Sequence, residues 1–319
     1  MIKIGILTSG GDAPGRNAAI RACVRSGLSL GLEVYGVFDG YEGLVNNNIR
    51  KLERGDVSDI IIQGATVLGS ARLEDFKLES VRQRGVDNLN ALGIQGLVVI
   101  GGDGSYRGAQ ALSNMGINCI GIPATIDNDI DSTDYSIGFD TALNTVIQNV
   151  DKLRDTSSSH HRCSIIEVMG NRCGDLAIYA GLTTGAEVIV TKETGYDEAE
   201  VISRLQHIEE TRKKRHALFI ISEKITDVDL LAKKISQFTG FSGRATVLGH
   251  IQRGGSPTAR DRILATQFGD MAVQLLKEGV GNKCLGLRNE KLVSMDIEEA
   301  LHLPKASRKE LFELHDRLV

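Results

Sequence analysis

Short runs of apolar, often β-branched residues alternate along the chain with longer stretches whose apolar residues recur at helical spacing. Ile2 to Leu7 is the first such run and ends in Thr8-Ser9-Gly10-Gly11-Asp12. Asn17 to Ser29 then repeats its apolar positions every three or four residues, so the chain opens as strand, glycine turn, helix. Glu33 to Phe38 predicts a second strand, Val86 to Leu92 lies in a helix, and Gly96 to Ile100 predicts a strand entering Gly101-Gly102-Asp103-Gly104-Ser105. A further strand, Cys119 to Ile122, runs into Pro123. The alternation continues with helices over Thr141 to Leu153, Asp175 to Thr183 and Glu198 to Glu210, and strands over Cys163 to Met169, Glu187 to Thr191 and Ala217 to Ser222. Strands alternating with helices imply an α/β fold whose parallel sheets are covered on both faces.

At 319 residues the chain is long for one core, and two α/β domains fit best. Only four prolines are present and no proline- or serine-rich linker marks a boundary, so short connections are expected between the domains. The 37 basic and 41 acidic side chains leave a net charge of −4, which supplies no general field for nucleic acid or an anionic membrane; any phosphate must be held locally. The five cysteines, Cys23, Cys119, Cys163, Cys173 and Cys284, form no C-x-x-C pair and are expected to be reduced and mostly buried. The first apolar run is too short for a signal segment and no stretch approaches a membrane span, so a soluble, cytoplasmic protein is expected. Glycine is abundant, 36 residues, and recurs just after the short apolar runs, where an α/β protein turns from strand toward ligand.

A glycine turn between strand and helix lets backbone N–H groups approach phosphate oxygens, with the helix dipole adding favourable charge. Both Gly10-Gly11-Asp12 and Gly101 to Ser105 have this context, though either is also compatible with a space-saving turn. The G-x-x-x-x-G-K-[ST] pattern is absent, and Gly102-Asp103-Gly104-Ser105-Tyr106-Arg107-Gly108 puts its last glycine one position late for a dinucleotide fingerprint. Asp39, at the end of the second strand, keeps a nicotinamide-dependent oxidoreductase open as an alternative. Gly-Gly-Asp-Gly-Ser is shared by unrelated kinase groups, including NAD kinases and lipid kinases, and points to phosphoryl transfer with Asp103 toward Mg²⁺. In Pro123-Ala124-Thr125-Ile126-Asp127-Asn128-Asp129 two carboxylates follow a strand, near the edge where ligands of open α/β sheets bind; one can accept a hydroxyl proton while the other helps a cation, unless the segment is simply an Asx-rich turn.

With these three motifs in order, the sequence resembles bacterial ATP-dependent 6-phosphofructokinases. The resemblance continues through Arg154-Asp155-Thr156-Ser157-Ser158-Ser159-His160, Glu167-Val168-Met169-Gly170 and Val247-Leu248-Gly249-His250-Ile251-Gln252-Arg253-Gly254-Gly255-Ser256-Pro257, and covers essentially the whole chain. It implies two αβα-layered domains: a larger ATP-binding one over 1–138 and 251–301, and a smaller sugar-phosphate-binding one over 139–250 and 302–319. It implies that ATP is held by Gly11, Tyr41, Arg72, Leu73, Gly102, Asp103, Gly104, Ser105 and Gly108, with Asp103 and Asp129 serving Mg²⁺. Asp127 is then the general base, and Gly11, Arg72 and Thr125 stabilise the transferring group. Fructose 6-phosphate falls to Thr125, Ile126, Asp127, Arg162, Met169, Gly170, Asn171, Glu223, Arg244, His250 and Arg253, with Arg162 and Arg244 reaching from a neighbouring subunit of a homotetramer.

The basic run Arg212-Lys213-Lys214-Arg215-His216 alone reads as a solvated helix terminus. With Arg21, Arg25, Arg54, Asp59, Arg154, Gly185 and Glu187, the members Arg212, Lys214, Arg215 and His216 resemble the family's allosteric site for ADP or phosphoenolpyruvate, with Glu187 toward a nucleotide-bound Mg²⁺. The chain departs from the family pattern at Asn171, where an arginine is usual, and this predicts weaker transition-state stabilisation. Lesser departures are Ala65, Val67, Lys77 and Lys213, the last after a one-residue insertion. Gly104 and Ala124 match ATP-dependent rather than pyrophosphate-dependent relatives. Two alternatives to the kinase stay open: a catalytically weakened sensor of sugar phosphate or nucleotide, and the oxidoreductase.

Overall fold

The computed structural model describes residues 2–212, 215–304 and 307–319. In chain order the elements are β1 (Lys3–Thr8), α1 (Arg16–Ser29), β2 (Glu33–Val37), α2 (Gly40–Val45), β3 (Ile49–Leu52), α3 (Glu79–Leu92), β4 (Gly96–Gly101), α4 (Asp103–Ser113), β5 (Asn118–Pro123) and α5 (Phe139–Ser158). They continue with β6 (Arg162–Val168), α6 (Asp175–Thr184), β7 (Val188–Val190), α7 (Glu198–Arg212), β8 (Ala217–Ser222), α8 (Val228–Phe238), β9 (Ser242–Val247), α9 (Ala259–Lys277), β10 (Lys283–Arg288), β11 (Lys291–Asp296), α10 (Ile297–Leu301) and α11 (Lys309–Leu318). Two compact units result: Met1–Ile126 with Ile130–Thr141 and Arg253–Lys305, and Asp127–Asp129 with Ala142–Gln252 and Ala306–Val319.

The first unit holds a seven-stranded sheet in the order β11-β10-β5-β4-β1-β2-β3. Its centre is parallel, while β3 and β11 pair antiparallel at the two edges. The strand period of two explains why the central strands read as unbroken apolar runs. Ile4, Ile6, Val98, Ile100, Ile120 and Ile122 pack with residues of α1 and α9 on one face. Leu7, Leu97, Val99 and Cys119 pack with α3 and α4 on the other. α1 and α9 approach so closely that a Cβ at Gly269 would stand 2.7 Å from the Ala19 carbonyl oxygen.

Chain direction sets where ligands meet this sheet. β2 lies on one side of β1 and β4 on the other, so the order reverses between β1 and β4, and the crevice outside the carboxyl ends of those strands is where open α/β sheets bind ligands. Both glycine turns leave from this point: Gly10-Gly11 follows β1 and Gly102 follows β4.

The second unit carries a four-stranded, all-parallel sheet in the order β7-β8-β6-β9. Cys163, Ile165, Phe219 and Ile221 face α7 and α8. Here the order reverses between β6 and β9. The carboxyl ends of β6, β8 and β9 open onto Met169, Glu223 and Leu248 respectively.

None of the five cysteines forms a disulfide and all are buried; burial pushes the Cys119 thiol up to about 12 and that of Cys284 up to about 11. No described helix is long and apolar enough to cross a membrane.

Candidate active site

Within the first unit, segment 66–72 is tied along the Gly10-Gly11 turn. Thr8 Oγ1 donates to Gly69 O at 2.7 Å, Ser70 Oγ donates to Gly10 O at 2.7 Å, and Thr66 N–H donates to Asp12 Oδ1 at 3.3 Å. Arg72, exposed, and Leu73, half-buried, follow this tied segment directly in the chain. Gly10 adopts φ +85°, a left-handed conformation that glycine takes without cost. Gly11 leaves room for Arg253, whose Nη1 lies 2.8 Å from where a Cβ would stand.

The second turn is built on buried Tyr41. Its hydroxyl donates to Ser105 O at 2.6 Å, its ring stacks on Phe76 at 4.1 Å, and a Cβ at Gly108 would stand 2.5 Å from its ring. Tyr41 and Gly108 therefore support the Gly102–Ser105 loop from beneath. Gly104 is exposed, with nothing within 4 Å of an added Cβ. Ser105 Oγ is buried and unpartnered beside Gly10 and Gly101, as a hydroxyl aimed at an anion would be. Thr125 is near this turn, its Cβ 3.9 Å from a Cβ built on Gly102, and its carbonyl accepts from Ser136 Oγ at 2.7 Å. Asp103, at the first position of α4, pairs with Arg107 at 3.1 Å across an exposed helical turn. Asp39, which kept the oxidoreductase reading open, takes φ +63° before α2 and accepts from Asn48 Nδ2 at 3.3 Å.

Asp127, Asn128 and Asp129 belong to the second unit, and Asn128 anchors them. It adopts φ +52°, is 5 % exposed, and donates through Nδ2 to Asp175 Oδ2 at 2.8 Å. Asp175 is buried and receives both arms of Arg308 at 2.9 and 2.8 Å. The asparagine between the two aspartates is therefore a buried fastening that leaves Asp127 and Asp129 half-exposed on either side.

Around the carboxyl end of β6, Met169 N–H donates to Gln252 Oε1 at 3.2 Å and Asn171 N–H to Glu223 Oε1 at 2.9 Å. Asn171 Nδ2 reaches Asp129 Oδ2 at 3.3 Å, and Lys192 Nζ holds the Asn171 carbonyl at 2.9 Å. Met169, Gly170, Asn171, Glu223 and Asp129 are thus brought together, with exposed His250 in the turn after β9. Ile126 is buried at the end of a first-unit segment, and Arg253 also belongs to the first unit. Arg162 and Arg244 are not brought to Met169. Arg162 begins β6 and Arg244 pairs in register with Ser164, so Arg162 lies about 20 Å of strand from Val168.

The expected effector residues divide between the units. In the first, Arg21, Arg54 and Asp59 act on Arg25, whose guanidinium is lowered by desolvation and by the two neighbouring arginines against the pull of Asp59. In the second, Arg154 is half-buried, Gly185 ends α6 at φ +62°, and buried Glu187 accepts from Leu218 N–H at 2.7 Å. A small recess of about 70 Å³ there is lined by Gly185, Glu187, His315 and Val319. Arg215 is exposed and His216 half-buried. Lys213 and Lys214 lie outside the described residues, and Arg212 ends α7. Ser70 and Arg16, which the sequence does not single out by any motif, both meet the first glycine turn.

Among the described residues no three His, Cys, Asp or Glu side chains group as a metal site. Single carboxylates such as Asp103 and Asp129 suit Mg²⁺ that arrives with phosphates, because this ion is ordinarily held by one or two carboxylates plus substrate oxygens.

A family model for phosphofructokinase matches residues 3–276. An ATP-dependent 6-phosphofructokinase of Photobacterium profundum is 56% identical over 317 residues, covering 99% of both chains. One from Bacillus cytotoxicus is 54% identical over 301 residues, 94% of each. Among solved structures, the phosphofructokinase of Saccharomyces cerevisiae superposes with a TM-score of 0.85 at 31% identity, covering 100% of this chain, which spans 47% of the yeast chain. A pyrophosphate-dependent phosphofructokinase from Marinobacter aquaeolei, 20% identical with a TM-score of 0.86 over 97% of this chain and 86% of its own, shares the fold.

Proposed function

The chain belongs to the phosphofructokinase family, and from that membership we propose that it transfers the terminal phosphoryl group of ATP to the 1-hydroxyl of fructose 6-phosphate. The observation that carries this reading is the departure of both glycine turns from the point where the first sheet reverses, with Thr125 and Asp127 following the next strand of that sheet. The first unit then holds ATP through Gly11, Arg72, Leu73 and the Gly102–Ser105 loop, with Tyr41 and Gly108 supporting the loop. The second holds the sugar phosphate through Met169, Gly170, Asn171, Glu223 and His250, joined by Arg253.

Asp127 accepts the proton of the 1-hydroxyl as its oxygen attacks phosphorus. Arg72, Thr125 and the turn at Gly11 stabilise the charge on the transferring group, and positioning with such stabilisation supplies most of the catalysis in phosphoryl transfer. Asp103 and Asp129 would each offer a carboxylate to Mg²⁺ arriving with the nucleotide, and the ion would supply neutralisation of phosphate charge. Open space over Gly104 and the small Ala124 favour ATP over pyrophosphate as donor.

Arg162 and Arg244, far along their strands from Met169, serve the site of a neighbouring subunit in a homotetramer. The effector ADP or phosphoenolpyruvate falls to Arg21, Arg25, Arg54, Asp59, Arg154, Gly185, Glu187, Arg212, Lys214, Arg215 and His216. The protein works in the cytoplasm.

A coupled assay tests the reaction: ADP release should require both fructose 6-phosphate and Mg²⁺. Turnover with pyrophosphate but not ATP would overturn the assignment of the donor.

A further inference from the structure

Arg16 is the first residue of α1 and closes the turn that begins at Gly10. Its side chain is only 1% exposed. Nη2 donates to Ala124 O at 2.9 Å, while Nε and Nη1 are buried without a hydrogen-bond partner. Burial pushes this guanidinium down to about 10, the Asp12 carboxylate opposes that, and Arg253 adds to it. The group therefore stays charged at neutral pH, inside the protein.

Three features make this placement costly for the protein alone. A buried guanidinium with unsatisfied N–H groups has lost its water without full replacement. A cation at the first position of a helix faces the positive end of the helix dipole, and α1 has no acidic residue in its first turn to offset it. A second cation, Arg253, approaches the same turn at Gly11. Of the charged groups that act most on Arg16, Asp12 attracts it and Arg253 repels it. The Arg16 charge is aimed: Arg16 Nη2 lies 3.9 Å from where a Cβ of Gly10 would stand, so the missing side chain leaves the cation directly behind the turn.

An arrangement unfavourable by itself on three counts is complementary to an anion on the other side of Gly10-Gly11. We propose that Arg16 is a positioning residue for the phosphoryl donor, a buried charge that draws a polyphosphate chain onto the Gly10-Gly11 turn without touching it, at the expense of the unliganded protein's stability. This rests on the reading of that turn as the donor's phosphate site. Buried charges are screened little by salt, so the effect persists at physiological ionic strength.

The test compares the full-length wild type with Arg16→Met and Arg16→Lys. Melting temperatures are measured alone, with sodium tripolyphosphate and with MgATP, alongside the KM for ATP and kcat. Arg16→Met should melt higher than wild type without ligand and show a smaller shift with tripolyphosphate. Its KM for ATP should rise about tenfold, with the loss concentrated in KM rather than kcat. Arg16→Lys, which keeps the charge, should stay nearer wild type than Arg16→Met in both readouts, and Arg16→Gln carries the comparison if Arg16→Met does not fold. Equal ligand-induced shifts and equal KM in wild type and in the charge-removing variant would overturn the role of Arg16 alone. A variant that melts lower without ligand and loses kcat and KM together would assign a structural role and overturn it as well. A wild type that shows no shift with either polyphosphate would overturn the donor site itself, and this proposal with it.

Discussion

Arg308→Met would cut the fastening that holds the Asp127-Asn128-Asp129 segment. The side chain of Asp175 is 2% exposed and that of Arg308 25%, and the pair shares two hydrogen bonds. The guanidinium is held well above its ordinary value, first by the hydrogen bond to Asp175 and against desolvation. Removing one partner of a buried ion pair costs about 3–5 kcal/mol, because a carboxylate is left in a poorly solvated place. Two facts put this case at the low end: water reaches part of Arg308, and Asn128 Nδ2 still donates to Asp175 at 2.8 Å. The expected loss is about 3 kcal/mol, or a fall of roughly 10 °C in melting temperature for a unit of this size. Because Asn128 lies between Asp127 and Asp129, kcat should fall too. The double variant Asp175→Asn, Arg308→Met removes the stranded charge and should recover more than half of the lost stability. Thermal and urea unfolding followed by circular dichroism would measure both. A single variant melting within about 2 °C of wild type, against the scale of such losses, or a double variant worse than the single, would show that the Asp175–Arg308 pair does not fasten this segment.

Gly108→Ala should be destabilised by about 1–3 kcal/mol from overpacking against Tyr41, and its KM for ATP should rise because Tyr41 holds Ser105. Gly104→Asp, by contrast, meets open space and should melt with wild type while losing ATP-dependent turnover. Asn171→Arg should raise kcat/KM by adding a cation near the residues proposed to hold the sugar phosphate, and should cost about 1 kcal/mol in stability because position 171 has φ +53°; unchanged kcat/KM would refute the first part. His315 is buried with Nε2 donating to Ala186 O at 2.8 Å, and burial outweighs that bond and lowers its pKa below 6.5. The unfolded chain then takes up the proton first, so stability present above pH 6.5 is lost as pH falls below it. His315→Gln should flatten the stability profile between about pH 5 and 7, and a profile of unchanged slope would refute this.

The central strands β1, β4 and β5 were legible because parallel strands buried on both faces read as unbroken apolar runs, as at Ile4–Leu7 and Leu97–Ile100; β10, also interior, was not predicted. Edge strand β7 was read within Glu187 to Thr191, but edge strands β3 and β9 were not: β3 is Ile-Arg-Lys-Leu with its middle exposed, and β9 is Ser-Gly-Arg-Ala-Thr-Val with Val247 57% exposed. Neither has the periodicity that marks a buried strand. The glycine turns announced a phosphate-binding α/β protein, since strand, turn and helix are contiguous in sequence. The groups that hold the turns in place are far apart in sequence and carry no local signal. Asn128 finds Asp175 at a separation of 47 residues, and Arg308 finds it at 133. Arg16 precedes the helix predicted from Asn17 and carries no motif; only the fold reveals that it is buried.

Proton removal by Asp127 during transfer from ATP to fructose 6-phosphate is tested by single-turnover transfer from labelled ATP by the wild type and by Asp127→Ser, with ATP binding measured in parallel. The wild type should label the 1-position of the sugar in the presence of Mg²⁺. Asp127→Ser should bind ATP normally and transfer at least about a hundredfold more slowly, the usual scale of general-base catalysis. Transfer at an undiminished rate by Asp127→Ser would contradict the account.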